Sequence, residues 1–423
     1  MKIRHFLLTP VGSAGDVLPF LGIGAELRRR GHSVTLLAGE AFRESAAGAG
    51  LDFLAHWSEE DFEGVMRDPD LWHPQRGLRL VMRAVSAMLA PTYAALEALY
   101  EPGRTVLVSH ALAFPTRLLA ERLGAPGATL HLAPAVMRSD YLAPALPPAR
   151  DLSPTPRWLK RGIWWLADHF YIDPHILPAL NALRADLGLP PVRRVFESQI
   201  HSPQLTVGLF PDWFAPPQPD WPRQVTLTGF PLFDDGEMLD PQLDELLTAG
   251  DPPLVFTPGS ANLQAPAFFR AAIEAARRLG RRALLLTRFS DQLPARLPDS
   301  AHHVSWAPLS RLLSRCAAII HHGGIGTCAQ GLAAGIPQLT MPMGFDQPDN
   351  TLRLVRLGVG AYLAPKKFTG GRLAEALQPL LDSAKVADAC QRYRGLTRSA
   401  DGIARTCDLL EALDPPGRVA PER

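Results

Sequence analysis

Two glycine loops carry polar side chains at spacings that could do chemistry. The first, Thr9–Pro19, reads TPVGSAGDVLP. Gly12 and Gly15 allow a sharp turn and close approach to a ligand, Ser13 offers a hydroxyl, and Asp16 stands where a helix is predicted to begin. An isolated Asp in that place is more often a helix N-cap than a base. At the carboxyl edge of a parallel sheet, however, a carboxylate is well placed to accept a proton. The spacing is G-x-x-G, not G-x-G-x-x-G, so this loop alone is a weak sign of a phosphate site. The second, Ile319–Ala334, reads IIHHGGIGTCAQGLAA and predicts strand, glycine loop and helix. Backbone N–H groups around Gly324, Gly326 and Thr327, with the helix dipole, would form an anion site. His322 and Thr327 would add side-chain donors. The adjacent His321 and His322 do not readily share a face and have no third ligand nearby, so no metal is expected.

Three further segments each follow a predicted strand. In Thr257–Asn262, TPGSAN, the small residues Gly259 and Ser260 permit close approach to a diphosphate. Trp306, in SWAPL, could stack on a nucleobase or be a core residue. Asp346 and Gln347, in FDQPDN, could bind several sugar hydroxyls, and could equally serve as a helix cap. With the HHGG loop these segments fall on one edge of one sheet and describe a nucleotide-diphosphate-sugar site, which Asp16 would face across an interdomain cleft.

The elements that must hold these loops alternate. Predicted strands are Ile3–Leu8, Val34–Leu37, Thr105–Ser109 and Ala128–His131, then Leu205–Phe210, Leu254–Thr257, Ala283–Thr287, Ala317–Ile320 and Gln338–Met341. Helix-like stretches such as Val17–Arg30 and Ala111–Leu123 lie between them, which implies α/β architecture with parallel sheets. At 423 residues the chain is too long for one core. We expect two doubly wound, Rossmann-like domains at 1–210 and 236–395, a proline-rich connector at 211–235, and a helix and frayed tail at 396–423. Pro144–Pro156 is a second proline-rich loop. Lys+Arg number 43 against 42 Asp+Glu, which argues against a nucleic-acid partner. The four cysteines form no C-x-x-C pair and suggest a reduced, cytoplasmic protein. The uncharged stretch from Cys316 to Phe345 is broken by glycines, prolines and histidines, so it is not read as a membrane span.

HHGGIGT, the Asp346-Gln347 pair, the WAPL turn and the GSAGDVLP loop together resemble family 1 inverting glycosyltransferases with the GT-B fold, over essentially the whole chain. Phe196–Asp235, with HSPQ, LFPDWFAPPQPDWP and TGFPLFDD, is similar to the rhamnosyltransferase branch that builds bacterial rhamnolipids, as is Asp68-Pro69-Asp70-Leu71-Trp72. The resemblance implies that Asp16 is the general base, where many members have His. It implies that His322, Thr327 and the backbone at Gly324 and Gly326 bind the pyrophosphate. Trp306 would stack on the base, Asp346 and Gln347 would hold the sugar, and Gly259, Ser260 and Ser13 would complete the donor site. His110 is one candidate to orient Asp16. Leu309 and Gln330 replace residues that plant members use for UDP-glucose; a thymidine-diphosphate deoxysugar is compatible with them.

The implied reaction moves L-rhamnose from dTDP-L-rhamnose to a 3-(3-hydroxyalkanoyloxy)alkanoic acid, with no cofactor or metal. The alternatives are a UDP- or dTDP-sugar transferred to a flavonoid, polyketide or sterol-like aglycone, a sugar-nucleotide epimerase, and a non-catalytic binding homologue. Asp68-Pro69-Asp70 spells D-x-D but reads as a turn. Arg157–Pro178, rich in aromatics, would be either core or a surface for peripheral inner-membrane contact or a partner protein.

Overall fold

Short Val, Ile and Leu runs without polar alternation suit strands covered on both faces by helices. In the computed structural model, which describes residues 3–414 apart from 74, 75, 148, 234–237, 261 and 264, such runs build two parallel sheets. The first has seven strands in the order β3-β2-β1-β4-β5-β6-β7. They are β1 His5–Thr9, β2 Ser33–Gly39, β3 Asp52–Trp57, β4 Thr105–His110, β5 Gly127–His131, β6 Leu205–Gly208 and β7 Val225–Leu227. The second has six, in the order β10-β9-β8-β11-β12-β13. They are β8 Leu254–Thr257, β9 Ala283–Leu286, β10 Ala301–Val304, β11 Ala318–His321, β12 Gln338–Thr340 and β13 Gly360–Tyr362. Both are doubly wound. Strand order reverses between β1 and β4 in one sheet and between β8 and β11 in the other, which is where such folds bind ligands.

The chain forms two compact units: Met1–Ala143 with Ser153–Phe233 and Asp401–Arg423, and Pro144–Leu152 with Asp234–Ala400. In the first, Leu7, Leu107, Phe114 and Leu118 pack beneath the helices. In the second, Phe256, Phe269, Leu285 and Ile320 form the core, and Phe268 stacks on Phe368 with ring centroids 5.0 Å apart.

These bounds differ from those expected. Pro211–Pro222 makes turns, but it connects β6 to β7 inside the first unit, because Thr206–Gly208 pairs with Val225–Leu227. Pro144–Leu152 belongs to the second unit, where Asp349 Oδ1 accepts from the Ala145 N–H at 3.1 Å. The helix Gly402–Glu411 belongs to the first. Arg30 binds Asp408 and Glu411 at 2.6 and 2.7 Å, and the Thr228 and Thr406 hydroxyls lie 2.9 Å apart. The Asp pair ending TGFPLFDD and the tail Pro415–Arg423 lie outside the described residues.

Candidate active site

In the first unit β1 delivers the glycine loop. The following helix, Ala14–Arg29, starts earlier than expected, with Ser13 as its N-cap residue. Asp16 is therefore not the cap but the third residue of the helix. Its Oδ2 accepts from the Ser13 backbone N–H at 2.8 Å and from the Ser13 hydroxyl at 3.3 Å. Gly12 has φ +135°, and a Cβ there would overlap the Asp16 carboxylate. The glycine is thus the space the carboxylate occupies. Next in the sheet, β1 pairs with β4 up to Thr9 opposite Ser109, and His110 follows. His110 Nδ1 accepts from the Leu112 N–H at 3.3 Å, and burial pushes its pKa down to about 4. It is a neutral imidazole whose proton sits on Nε2.

In the second unit the four predicted segments follow β8, β10, β11 and β12, so they share the carboxyl edge. Thr257 and His321 are register partners in the adjacent strands β8 and β11, which brings the TPGSAN and HHGG loops together at the point where strand order reverses. Gly259 has φ +95°, and a Cβ on it would lie 2.6 Å from His322 Cε1. A Cβ on Gly324 would lie 2.5 Å from His322 Nε2. The His322 ring is therefore clasped between two bare stretches of backbone. Gly324 caps the helix Ile325–Ala334, and Gly326 and Thr327 lie in its first turn. Its leading N–H groups have no carbonyl partner within the helix. Burial pushes His322 down to about 4 as well, so it is a neutral donor and not a counter-ion. Its Nδ1 is buried without a partner among the described residues. His321 turns the other way. Its Nδ1 accepts from the Gly323 N–H at 3.1 Å and its Nε2 lies 3.0 Å from Gln338 Oε1. The two rings thus have separate jobs, one structural and one facing the helix terminus.

The third loop reaches the same terminus. Asp346 takes a hydrogen bond from the Ile325 N–H and one from Asn350 Nδ2 at 2.7 Å. Asn350 also donates to the Gly323 carbonyl at 3.0 Å, tying this loop to the HHGG loop. Asn350 was not among the expected site residues, although its place one helical turn after Asp346 marks it. Gln347 is buried, and its Oε1 accepts from the N–H groups of Met343 and Gly344 at 2.9 and 3.3 Å. Only its NH2 end is left to meet a sugar hydroxyl. Between Gly344 and Asp346, Phe345 is 43% exposed at φ +56°, a conformation bulky residues rarely hold. Trp306, after β10, is half-buried on the same edge, and Ser260 is exposed beside Gly259.

Burial raises the Asp346 pKa to about 6, against the opposing pull of Asn350 and the backbone N–H groups. It is a carboxylate above that pH and neutral below it. If Asp346 binds the transferred sugar, affinity for a nucleotide sugar is expected to fall below about pH 6 in the unmodified protein and not in Asp346→Asn. Calorimetric titration of both proteins with the nucleotide sugar between pH 5 and 8 checks this, and parallel pH profiles would remove the sugar-binding role of Asp346.

Outside these loops, Asp68-Pro69-Asp70 is a turn. Asp68 Oδ1 accepts from the Asp70 N–H at 2.8 Å, and Arg76 pairs with Asp70 at 2.9 Å. The aromatic segment, expected to be core or surface, is largely surface. Trp158 is 72% and Phe170 56% exposed, with Trp165, Leu166 and Tyr171 exposed nearby. No helix among the described residues is long and apolar enough to cross a membrane.

Comparison with known proteins agrees with this fold. The family description "Glycosyltransferase family 28 N-terminal domain" matches residues 6–141. "Erythromycin biosynthesis protein CIII-like, C-terminal domain" matches 284–402. The O-mycaminosyltylonolide 6-deoxyallosyltransferase of Streptomyces fradiae is 31% identical over 97% of both chains. The solved calicheamicin glycosyltransferase CalG4 superposes with a TM-score of 0.71 at 26% identity, covering all of both chains. A spinosyn rhamnosyltransferase solved with thymidine diphosphate shares the fold at a TM-score of 0.68 and 18% identity, covering 97% of this chain and all of that one. The two parallel sheets, the two family matches and the full-length relatives converge on one conclusion: the chain belongs to the family 1/family 28 group of glycosyltransferases with the GT-B fold.

Proposed function

We propose that the enzyme transfers a 6-deoxyhexose, L-rhamnose in the first instance, from its thymidine diphosphate to the hydroxyl of a hydrophobic acceptor. The acceptor of choice is a 3-(3-hydroxyalkanoyloxy)alkanoic acid. The carrying observation is the cradle itself: neutral His322 held by Gly259 and Gly324 at a helix N-terminus, with Asp346 and Asn350 beside it. Such a site holds a diphosphate by directed N–H groups. In the reaction the acceptor oxygen bonds to the anomeric carbon as the bond to the diphosphate oxygen breaks, with inversion. Asp16 takes the hydroxyl proton, and the diphosphate departs into fixed donors that stabilise its new charge. The donors need no metal, so chelator is expected to leave turnover unchanged. A second reading, a polyketide aglycone as acceptor, is favoured by the tylonolide-glycosylating relative and the erythromycin-type domain match.

The test is incubation with thymidine- and uridine-diphosphate sugars against hydroxyalkanoyl acids, polyketide aglycones and flavonoids, read by mass spectrometry. Transfer to aglycones alone would replace the first acceptor by the second; no transfer from any thymidine-diphosphate sugar would sink the donor assignment.

The amphiphilic acceptor suits the exposed aromatic helix. Trp158 and Trp165 project from Arg157–Ala167, and Arg157 lies over the Tyr141 ring at 3.9 Å. Aromatic side chains beside cations are the pattern of an anionic lipid surface. The protein is expected to co-sediment with anionic vesicles and much less with neutral ones. A Trp158→Ser, Trp165→Ser pair is expected to lose most of that binding without loss of transfer to a soluble acceptor. Absence of vesicle binding by the unmodified protein would end this part of the reading.

A further inference from the structure

Pro144–Leu152 is a strap. The chain up to Ala143 and from Ser153 belongs to the first unit, while the strap itself packs in the second. Its two roots are pinned together. The buried Lys160 ammonium donates to the carbonyls of Asp140 and Tyr141 ahead of the strap, at 3.1 and 2.9 Å, and to that of Ser153 behind it, at 3.4 Å.

The strap is seated on the helix Gln347–Arg356, which starts at the candidate sugar ligands. Ala145 and Ala149 pack with Leu352, and Asp151 pairs with Arg356 at 2.8 Å. Asp349 is the buried anchor. Its Oδ1 accepts from the Ala145 N–H at 3.1 Å and its Oδ2 from Arg353 Nε at 2.7 Å. Burying such an ion pair adds little net stability, because desolvation offsets the attraction. What it adds is direction, since one oxygen faces the helix and the other the strap. Asp349 also reaches the sugar loop, because its N–H donates to the Asp346 carbonyl at 3.1 Å.

Strain marks the same assembly. Among the described residues, the non-glycine positions at positive φ are Ala149, at +129°, and Phe345, at +56°. Phe345 leads into the helix and Ala149 rests on it. Such conformations persist where the surroundings over-determine them.

We infer that the strap is a positioning device for donor binding, with Asp349 as the positioning residue that holds the Asp346-Gln347 loop in its ligand-binding shape. The inference rests on the proposed role of that loop in holding the donor sugar, and it adds a determinant of donor affinity outside the site itself.

The experiment is calorimetric titration of the full-length protein with thymidine- and uridine-diphosphate sugars, well below the melting temperature, with melting curves of the same samples. Ala149→Val puts a β-branched side chain at φ +129°, a conformation it does not hold. Leu352→Ala removes the helix side of the same contact, and decides the matter alone if Ala149→Val does not fold. Each is expected to weaken binding of the preferred nucleotide sugar by about 10-fold to 100-fold, the cost of displacing a ligand-holding group by about 1 Å. Ala149→Gly, which adopts that φ without strain, is expected to keep the unmodified affinity. Lower melting temperatures with unchanged affinity in Ala149→Val and Leu352→Ala would make the strap merely structural and overturn the inference. Asp346→Ala is titrated beside them. Weak binding there, with full affinity in both strap variants, would refute the strap and leave the role of the loop standing. The reverse pattern would refute the sugar-binding role of Asp346 and leave the effect of the strap on donor affinity intact.

Discussion

Asp16→Asn is expected to lower kcat for glycosyl transfer by about 10²–10⁴-fold, the range for loss of a positioned general base. The affinity for thymidine diphosphate should be unchanged. The amide keeps an oxygen that can still accept the Ser13 N–H, now at 2.8 Å, so the start of the helix Ala14–Arg29 is preserved. What it loses is the capacity to take a proton. Weakening the reciprocal cap costs about 1 kcal/mol, which shifts the melting temperature by a few degrees at most for a chain of this size. Gly12→Ala acts through the same carboxylate from the other side. The residue has φ +135°, and its Cβ would occupy the place of the Asp16 oxygen. It should therefore lose transfer as Asp16→Asn does while every ionisable group remains. Stopped assays of sugar transfer, with diphosphate binding measured in parallel, separate the two effects. A kcat for Asp16→Asn within twofold of the unmodified enzyme would remove Asp16 from the base role.

The loops were legible in the sequence because they follow interior strands. β1, β4, β5, β8, β9, β11 and β12 are almost wholly buried, so their Val, Leu, Ile, Phe and Ala residues cluster ahead of a glycine or polar loop. The four strands absent from the sequence reading are β3, β7, β10 and β13, and each is an outer strand of its sheet. Asp52–Trp57 and Ala301–Val304 carry polar and half-exposed residues because one edge has no strand beside it. Missing β7 is also what made Pro211–Pro222 look like the join between domains. The aromatic segment was ambiguous for a related reason. Trp and Phe residues mark burial in most helices, and only the fold shows that Trp158 and Phe170 point outward while Lys160 is the buried member, its Nζ capping the carbonyls of Asp140 and Tyr141. At the site, residue types were readable but not their states. The sequence marks His322 as a donor, but its neutrality follows from burial. It marks Gln347 as a sugar ligand, but its Oε1 already accepts from the backbone N–H groups of Met343 and Gly344.

Gly259→Ala is expected to be as damaging to donor use as removing the His322 side chain. Two independent reasons combine at this position. The backbone lies at φ +95°, where an L side chain is strained, and the new Cβ would sit 2.6 Å from His322 Cε1. The ring cannot step aside toward Gly324, whose own approach to Nε2 leaves no room for another atom. Either the loop after β8 moves outward or His322 leaves the helix N-terminus. Both outcomes would spoil the donors proposed to meet the charge gained by the departing diphosphate. Loss of one such fixed donor typically lowers kcat by about 10²–10³-fold, and the same range is expected for Gly259→Ala and for His322→Ala. The two variants should differ in binding. His322→Ala keeps the backbone N–H groups of Ile325–Thr327 in place, so thymidine diphosphate still binds, more weakly. Gly259→Ala shifts the loop that would close over the phosphates and should weaken binding further. The double variant, Gly259→Ala with His322→Ala, gives the deciding comparison. With the ring gone, only the backbone strain at position 259 remains, so the two losses should be clearly less than multiplicative. Fully multiplicative losses would mean that Gly259 and His322 act separately, and the clasped ring would then not be the unit that holds the diphosphate.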